Sequence, residues 1–585
     1  MVMPHRVLVA IGVPLPGNHQ NQAVALNRTI ARLVTFDTRR NRCRAPSPVR
    51  HQESPMTLAR NVFGLLDRSA ESRYGARPAF GFADETVTFV QVRDRALQVA
   101  GGLARAGVGR GDTVAVMMGN RREWVETFFG LAALGAVCVP VNVLLTGREI
   151  EHVCRDSGAR VLVVDEIGSR STAHLDVDFD AFVTVGSAVA PDGVRAVSWA
   201  DLVAGEPLSG AQRWAGPALE DRFILYYSSG TTGLPKAAVH THNGVLWNAM
   251  GQVQGLGLKP EHRYTVIPSL SWAAGFHNLV LALCWIGGFS QVRPTGGATM
   301  EGIVAELEEH RTTHVMLVPS LLRELVTRPD LMQRLSDSAL TWIVTGAEPV
   351  PRSVIEAVCR GIPGVDVCQG YGLSEFPTIT TVLMADEVFD HEGSAGRALP
   401  HTDLAVRDAD GEIRRSGTGE LLVRSLATMV GYHDRPEQTA EAFRDGWLHT
   451  GDLVELDDDG FITIVGRTKD MIISGGLNVY PKEIEDVISR LPGVVETAVV
   501  GVPHERFGES AVAIVVTDDP AFDVEDVARA CGEQLASYKR PRRTLVRSEP
   551  LPRNANAKLL KRELRPWAAE VLASQEERAV EGTTP

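Results

Sequence analysis

Buried strands that each lead into a polar, glycine-containing loop are the feature that most constrains the fold of this chain. From about residue 56 to 465, short apolar runs alternate with amphipathic stretches of helical periodicity, which is typical of layered α/β proteins. Three of the apolar runs end in such loops, within residues 223–236, 340–349 and 365–375. Loops at the carboxyl ends of strands in an open sheet meet at one edge and form one site. The pattern predicts a large α/β domain with a ligand site at that edge.

The first of these loops is suited to a polyphosphate. It reads Ser228-Ser229-Gly230-Thr231-Thr232-Gly233-Leu234-Pro235-Lys236 and follows the apolar run Phe223-Ile224-Leu225-Tyr226-Tyr227. Backbone N–H groups freed by glycine, together with hydroxyls and a cation, form a donor surface for phosphates. It is not a Walker A loop, because that pattern ends in Gly-Lys-Ser/Thr. A solvated linker is the alternative, and the buried strand before the loop argues against it.

Length and composition favour several folded lobes. A chain of 585 residues exceeds what one hydrophobic core supports. The net charge of −13 argues against nucleic acid as the main partner. The longest apolar run, residues 130–145, is interrupted by Pro140 and Asn142 and is too short to span a membrane. The seven cysteines include no CxxC pair, which argues against zinc and a disulfide framework and favours a reducing, cytoplasmic location.

The pattern changes at Gly466 and predicts a second, smaller domain. A helix opening at Pro481, apolar runs near 498–502 and 511–516, and a helix from Val524 favour a small α+β unit. We therefore predict a large domain over 56–466, a hinge, a mobile domain over 467–572 and a loose tail over 573–585. Residues 1–55 hold eight arginines and only two acids. We expect them to be a disordered extension or an upstream start, with Met56 as the working initiator, rather than an export signal.

Lysine is scarce, since only seven of the 59 basic side chains are lysines. Genomic base composition explains arginine wherever the two residues are tolerated alike. The remaining lysines should then be enriched where a compact ammonium does something that a planar guanidinium cannot. Lys236, which closes the first loop, and Lys558 stand out for this reason.

Over about residues 57–568 the chain resembles the adenylate-forming superfamily, which contains acyl-CoA synthetases, adenylation domains and luciferases. Six motifs carry the resemblance: the first loop with its following Val239-His240-Thr241-His242, then Gly346-Ala347-Glu348-Pro349, Gln369-Gly370-Tyr371-Gly372-Leu373-Ser374-Glu375, Gly446-Trp447-Leu448-His449-Thr450-Gly451-Asp452, Gly466-Arg467-Thr468-Lys469-Asp470 and Pro552-Arg553-Asn554-Ala555-Asn556-Ala557-Lys558-Leu559. The resemblance implies an α/β layered large N-terminal domain and a small α+β C-terminal domain joined by a hinge. It also implies an ATP- and Mg²⁺-dependent ligase that converts a carboxylic acid to acyl-AMP and transfers the acyl group to coenzyme A.

The resemblance further implies contacts with ATP. The β and γ phosphates would be held by Ser228, Ser229, Gly230, Thr231, Thr232, Gly233 and Lys236. Glu375 would hold Mg²⁺, which prefers oxygen ligands, and Ser374 would contact the α-phosphate. Adenine would lie between Tyr371, stacked on it within Gln369-Gly370-Tyr371-Gly372, and the turn Gly346-Ala347-Glu348. Asp452, helped by Arg467, would accept the ribose hydroxyls. The alternatives are that the Tyr371 ring packs on its own loop and that Asp452 forms a helix cap or an Asx turn.

The C-terminal motifs imply catalysis and movement. Lys558 would bridge the acid carboxylate and the α-phosphate, although Ala557 stands where the family usually has glycine; a solvated lysine is the alternative. Lys469 falls at the family's hinge position, with an exposed charge pair as the alternative. Ser474, Gly475 and Gly476 would line the approach of the CoA thiol.

The acid is the least determined part. Trp272 stands where the family often has a gating histidine, and with Gly275 and Thr345 it predicts a pocket for a hydrophobic fatty, alicyclic or aromatic acid; a core tryptophan is the alternative. Two alternatives remain open. The acyl acceptor could be a carrier-protein thiol or an amine, and the protein could be a catalytically silent nucleotide-binding homologue. The sequence argues against a hydrolase, because Phe376 stands where a nucleophile elbow around Ser374 needs glycine.

Overall fold

The computed structural model describes residues 61–581 except 84, 173–174, 211–215, 229–234, 347, 349, 475–476 and 554–558, and it leaves out the side chains of 478 and 576–581. The predicted extension, residues 1–55, therefore lies outside the described residues.

The strand that leads into the first loop lies in the middle of a sheet. Phe223, Ile224 and Leu225 are fully buried, as expected for an apolar run covered on both faces. Eight described strands form the sheet, in the order Gly431–Tyr432, Lys236–Thr241, Arg222–Ser228, Val137–Pro140, Thr113–Met117, Val161–Val164, Ala181–Thr184 and Ala196–Ser198. The six strands from Arg222–Ser228 onward are parallel, and Lys236–Thr241 returns antiparallel.

A second sheet contains the other two segments that the sequence singles out. Nine described strands form it, in the order Arg397–Ala398, Phe376–Leu383, Asp366–Leu373, Trp342–Gly346, His314–Met316, Arg263–Val266, Phe289–Val292, Pro78–Gly81 and Thr86–Thr88. Its central strands are parallel, so their carboxyl ends share one edge.

The main hydrophobic core combines residues of both sheets with several helices. The helix Arg122–Leu134 is buried on nearly every side, and the rings of Trp124, Phe128 and Phe276 pack within 4.5 to 5.6 Å of one another. The structure describes these other helices up to residue 442: Phe63–Glu71, Phe89–Arg105, Gly147–Ser157, Glu166–Thr172, Trp199–Ala204, His242–Gly255, Ala273–Phe276, Val280–Ile286, Met300–Glu309, Pro319–Val326, Pro329–Ser336, Arg352–Gly361 and Pro436–Ala442. The predicted α/β layers are confirmed.

A third, antiparallel sheet follows along the chain. Six described strands form it: Ile413–Arg414, Thr402–Arg407, Gly417–Ser425, Trp447–Leu456, Phe443–Arg444 and Ile462–Arg467. In its register Asp452 lies opposite Arg467, which brings two predicted nucleotide-binding residues together.

The C-terminal region is the predicted α+β unit. Its sheet has five described strands: Leu477–Val479, Ile472–Ser474, Gly508–Thr517, Val494–His504 and Arg543–Arg547. One face packs with the helices Pro481–Ile488 and Val524–Gln534, and the other with the helix Lys561–Glu581. Short 3₁₀ turns lie at Thr468–Asp470 and Ser537–Lys539.

Two expectations need correction. The helix Lys561–Glu581 continues past residue 572, so residues 573–581 of the predicted tail are helical; after Pro566 the helix contains no glycine or proline that would disfavour it. The predicted loop after Cys368 is also absent, because the strand Asp366–Leu373 runs through it. Across the part of the chain that the structure describes, no helix is long and apolar enough to cross a membrane.

Candidate active site

Ser374 and Glu375 form the tip of a β-hairpin. The strands Asp366–Leu373 and Phe376–Leu383 pair antiparallel with Leu373 opposite Phe376, so the two residues are the turn. Gln369 to Gly372 are strand residues because Gly370 pairs on one side with Gly346 and on the other with Val382. A Cβ on Gly346 would lie 2.4 Å from the carbonyl oxygen of Gly370, so this close pairing requires glycine there.

The two ends of the first loop meet across a strand pair. Ser228 lies opposite Lys236. Burial lowers the pKa of Lys236, and the negative charges of Glu375 and Glu441 oppose that shift. The ammonium therefore lies in a half-buried place where acidic neighbours, or a phosphate, stabilise its charge.

Tyr432 joins Lys236 to Glu375. Its hydroxyl donates to Oε1 of Glu375 at 2.7 Å, and the Lys236 Nζ lies 3.5 Å from the centroid of its ring. The sequence did not single out Tyr432. Its partner Glu375 lies 57 positions away, and no local motif links them.

The hairpin turn has two further contacts. His240 Nε2–H donates to the Ser374 carbonyl oxygen at 2.8 Å, and the Met429 N–H donates to the Glu375 carbonyl oxygen at 2.8 Å. His240 is fully buried, and burial lowers its pKa to about 4, so the ring is neutral. The turn that carries the predicted metal ligand is thus held from two sides.

Asp452 is the centre of a second cluster of contacts. Its Oδ2 accepts from the Tyr371 hydroxyl at 2.6 Å, and its Oδ1 accepts from Arg467 Nε at 2.9 Å. Burial, followed by the Asp452 charge, raises the pKa of Tyr371, so the phenol stays a donor. Each carboxylate oxygen keeps a second acceptor site, which suits ribose hydroxyls. The ring of Tyr371 packs against a core cluster that includes Phe376; its stacking on adenine stays a prediction.

The predicted adenine turn and acid pocket are described in part. Glu348 is exposed and pairs with Arg323 at 2.6 Å, whereas the Gln369 side chain accepts from the Val350 N–H.

Trp272 is half-buried, and its Nε1 has no partner within the described residues. Thr345 Oγ1 is likewise buried without a described partner. A Cβ on Gly275 would lie 1.9 Å from the Ser269 carbonyl oxygen, so the tight turn after Trp272 requires glycine.

Lys469 lies where the chain passes from one sheet to another. It belongs to the 3₁₀ turn Thr468–Asp470, between Ile462–Arg467 of the third sheet and Ile472–Ser474 of the C-terminal sheet. Ser474 is nearly buried at the end of that strand. The remaining predicted site residues lie outside the described residues: Ser229, Gly230, Thr231, Thr232, Gly233, Ala347, Gly475, Gly476 and Lys558.

The side chains fit a Mg²⁺ ion that is shared with phosphates. Within the described residues, no group of three or more His, Cys, Asp or Glu side chains could hold a metal by itself. Mg²⁺ is commonly bound by one or two carboxylates together with substrate phosphate oxygens. Glu375, beside Lys236 and the ends of the phosphate loop, matches that donor set.

An open groove of about 420 Å³ lies away from these residues. It is lined by Thr113, Val161 and Arg222, which begin parallel strands of the first sheet. Ligands of open α/β sheets bind at the carboxyl ends of strands, so this groove is not part of the candidate site.

Comparison with known proteins gives a consistent family. The model described as AMP-binding enzyme matches residues 66–433, and the model described as AMP-binding enzyme C-terminal domain matches residues 483–558. The long-chain-fatty-acid–CoA ligase FadD13 of Mycobacterium tuberculosis (strain ATCC 25618 / H37Rv) is 35% identical over 490 residues, 82% of this chain and 93% of that protein. Feruloyl-CoA synthase of Amycolatopsis sp is 34% identical over 483 residues, 82% of this chain and 93% of that protein.

A solved structure shares the fold. The o-succinylbenzoate coenzyme A synthetase (MenE) from Bacillus subtilis, in complex with ATP and magnesium ion, has a TM-score of 0.72 and 27% sequence identity, over 86% of this chain and 98% of that chain. The matched segments include the hairpin of Ser374 and Glu375 and the strand pair of Ser228 and Lys236. The chain therefore belongs to the AMP-binding enzyme family.

Proposed function

We propose that the protein is an AMP-forming acid–CoA ligase, which activates a carboxylic acid with ATP and transfers the acyl group to coenzyme A. One observation carries this proposal. The strand Asp366–Leu373 and its turn contact two carboxylate–cation clusters: Tyr371 bonds Asp452, and Glu375 bonds Tyr432 beside Lys236. A nucleoside and a pyrophosphate need such groups at the two ends of one nucleotide site.

In the first half-reaction, a carboxylate oxygen of the acid attacks the α-phosphorus of ATP. The bond from that phosphorus to the bridging oxygen breaks, and pyrophosphate leaves. The protein contributes positioning and charge neutralisation: Lys236 on the pyrophosphate side, Ser374 and Lys558 at the α-phosphate. Mg²⁺, when bound, neutralises phosphate charge beside Glu375. The attacking carboxylate then approaches a less negative phosphoryl group.

In the second half-reaction, the CoA sulfur attacks the acyl carbonyl carbon, and AMP leaves. We propose that Lys469 is the hinge that lets the C-terminal domain change its position between the two steps. Its place in a short turn between two sheets supports this role, because hinges are commonly loop or element-terminal residues that absorb the change in backbone φ and ψ. Ser474, Gly475 and Gly476 would then face the thiol.

We propose a hydrophobic acid that lies against Trp272. FadD13 is named for long-chain fatty acids and the Amycolatopsis enzyme for ferulate, so family membership leaves the chain or ring open. CoA is favoured over a carrier protein as acceptor by both relatives' names. The six described cysteines are unbonded, which supports a cytoplasmic location.

Acid-dependent release of pyrophosphate, measured over a panel of fatty and aromatic acids with and without CoA, tests the function. We expect release with at least one acid and acyl-CoA only when CoA is present. Pyrophosphate release with none of the acids would contradict the proposal. Acyl-adenylate without any acyl-CoA would redirect the acceptor toward a carrier protein or an amine.

The Lys558→Ala variant tests the catalytic assignment. We expect adenylation to fall by about 10²–10³-fold, as when one stabilising donor is removed from a transition state, while a supplied acyl-adenylate is still converted to acyl-CoA. Lys561→Ala is the matched control, because Lys561 pairs with Glu485 at 2.6 Å and should leave both half-reactions nearly unchanged. Equal loss of both half-reactions in Lys558→Ala would contradict the role.

A further inference from the structure

Tyr432 contacts both charged side chains at the pyrophosphate end of the candidate site. Its hydroxyl donates to Glu375 Oε1 at 2.7 Å, and its ring faces Lys236 Nζ at 3.5 Å from the centroid. The phenol stays protonated, because burial and then the Glu375 charge raise its pKa. One side chain therefore touches the predicted metal ligand and the predicted phosphate ligand.

The backbone around Tyr432 is anchored to the segments that carry these two residues. Tyr432 pairs with Ala238, two residues after Lys236 in the strand Lys236–Thr241. Its N–H donates to Thr439 Oγ1 at 2.9 Å. The Met429 N–H, three residues earlier, bonds the carbonyl oxygen of Glu375 at 2.8 Å. The ring thus has a fixed position relative to both partners.

We propose that Tyr432 is a positioning residue that aligns Glu375 for Mg²⁺ and Lys236 for the β and γ phosphates, a role that rests on the proposed function. A hydrogen bond at Oε1 fixes the plane of the carboxylate, and Glu375 would hold Mg²⁺ through its other oxygen; the outer partners of metal ligands orient them in this way. The ring face attracts the ammonium and limits its rotamers. Mg²⁺ binding and phosphate binding become linked through Tyr432, which contacts Glu375 and Lys236 and would itself hold neither the metal nor the phosphates.

Two substitutions separate the two contacts. Tyr432→Phe removes the hydroxyl and keeps the ring, so it should impair the metal ligand alone. Tyr432→Leu removes both contacts and should impair the lysine as well. The measured quantity is the dissociation constant of ATP, by calorimetry with and without Mg²⁺, and the ratio of the two constants is the Mg²⁺ enhancement.

Tyr227→Phe is the matched control. Tyr227 lies beside Ser228 in the strand Arg222–Ser228, and its hydroxyl donates to Asp156 Oδ2 at 2.8 Å. The Tyr227→Phe variant therefore loses the same kind of phenol–carboxylate hydrogen bond near the same loop. The carboxylate concerned, Asp156, has no predicted role in metal binding. Its Mg²⁺ enhancement should equal that of the unmodified protein.

We expect Tyr432→Phe to reduce the Mg²⁺ enhancement roughly tenfold, as loss of a hydrogen bond to a charged group does, and to leave ATP binding without Mg²⁺ unchanged. Tyr432→Leu should in addition weaken metal-free ATP binding roughly fivefold through loss of the cation–π contact. An unchanged enhancement in Tyr432→Phe, or an equal reduction in Tyr227→Phe, would overturn the proposal. Failure of the proposed function is seen separately, as an unmodified protein that binds ATP and Mg²⁺ but releases no pyrophosphate with any acid.

Discussion

The two ends of the candidate nucleotide site use the same three kinds of side chain in different arrangements. At the nucleoside end, Asp452 is bonded directly by the Tyr371 hydroxyl and by Arg467. At the pyrophosphate end, Glu375 is bonded by the Tyr432 hydroxyl, but its cation, Lys236, rests on the tyrosine ring. Arg467 thus bonds its carboxylate, Asp452, directly, whereas Lys236 lies over the Tyr432 ring beside Glu375.

The difference follows from which strands supply the residues. Asp452 and Arg467 are opposite each other in one antiparallel pair of the third sheet, so sheet register alone creates their ion pair. Glu375 and Lys236 come from two different sheets, and within the described residues Tyr432 contacts both of them. A preformed ion pair suits a neutral sugar, whereas an ammonium without a direct carboxylate bond keeps its charge available for phosphates. The pyrophosphate end should therefore depend on Mg²⁺, and the nucleoside end should not.

Glu375→Gln should have the largest effect on this contrast. Loss of the carboxylate charge should reduce Mg²⁺-dependent pyrophosphate release by about 10²–10³-fold, comparable to removal of one electrostatic stabiliser, with little change in AMP binding. Release rates over a Mg²⁺ titration and AMP affinity measure this. Glu441→Gln is the control, since that exposed acid also favours the charged form of Lys236. An equal loss in Glu441→Gln would attribute the effect to net charge rather than metal binding.

Asp452→Asn should have an intermediate effect with the opposite pattern. Loss of hydrogen bonds to a charged group, about 1.5–3 kcal/mol, should weaken AMP and ATP binding by the same factor and leave the Mg²⁺ enhancement unchanged. Calorimetry with both nucleotides tests this. The control is Asp403→Asn, because Asp403 lies opposite Arg424 in the same sheet and pairs with it at 2.7 Å, but both side chains are about half exposed and the pair should matter little. A change in Mg²⁺ enhancement in Asp452→Asn would remove the distinction between the two ends.

Much of this arrangement is predictable from the sequence. Buried strands appear in the sequence as apolar runs, so the layers, the small C-terminal unit and the buried strand that leads into the first loop follow from local pattern. The extension of the strand through Gly370 and Tyr371 does not, because glycines favour a loop locally and only pairing with Gly346 on one side and Val382 on the other makes them strand. Tyr432 is missed for the same reason: its partners come from distant segments.

The scarcity of lysine is a weaker indicator of catalytic residues than the sequence suggested. Lys482, Lys539 and Lys561 form ion pairs with Asp486, Glu483 and Glu485 around the helix Pro481–Ile488. An arginine could make many such contacts, so a surviving lysine does not by itself indicate catalysis. The argument for Lys236 now rests on its position beside Tyr432 and Glu375, and that for Lys558 rests on its motif.

His240 should give the pyrophosphate end a small sensitivity to acid that the nucleoside cluster lacks. Its pKa is lowered by burial to about 4 from the usual value of 6.5. Between these values the unfolded chain binds a proton that the folded chain does not, so its contribution to stability is complete above pH 6.5 and is lost as the pH falls toward 4. One pH unit corresponds to at most about 1.4 kcal/mol.

His240→Gln isolates this contribution, because a glutamine amide can still donate to the Ser374 carbonyl oxygen but does not titrate. Other buried histidines, His242, His277 and His314, also have lowered pKa values, so only the difference between the two proteins is informative. Between pH 6.5 and 5.5, the free energy of unfolding of the unmodified protein should fall by about 1 kcal/mol more than that of the variant, because the unfolded His240 is already half protonated at pH 6.5. Parallel pH profiles in urea unfolding would mean that folding does not change the pKa of His240. At pH 5.5 the hairpin turn would then be held by a charged donor, and the pyrophosphate end would carry one more cation than its contacts with Glu375 and Tyr432 imply.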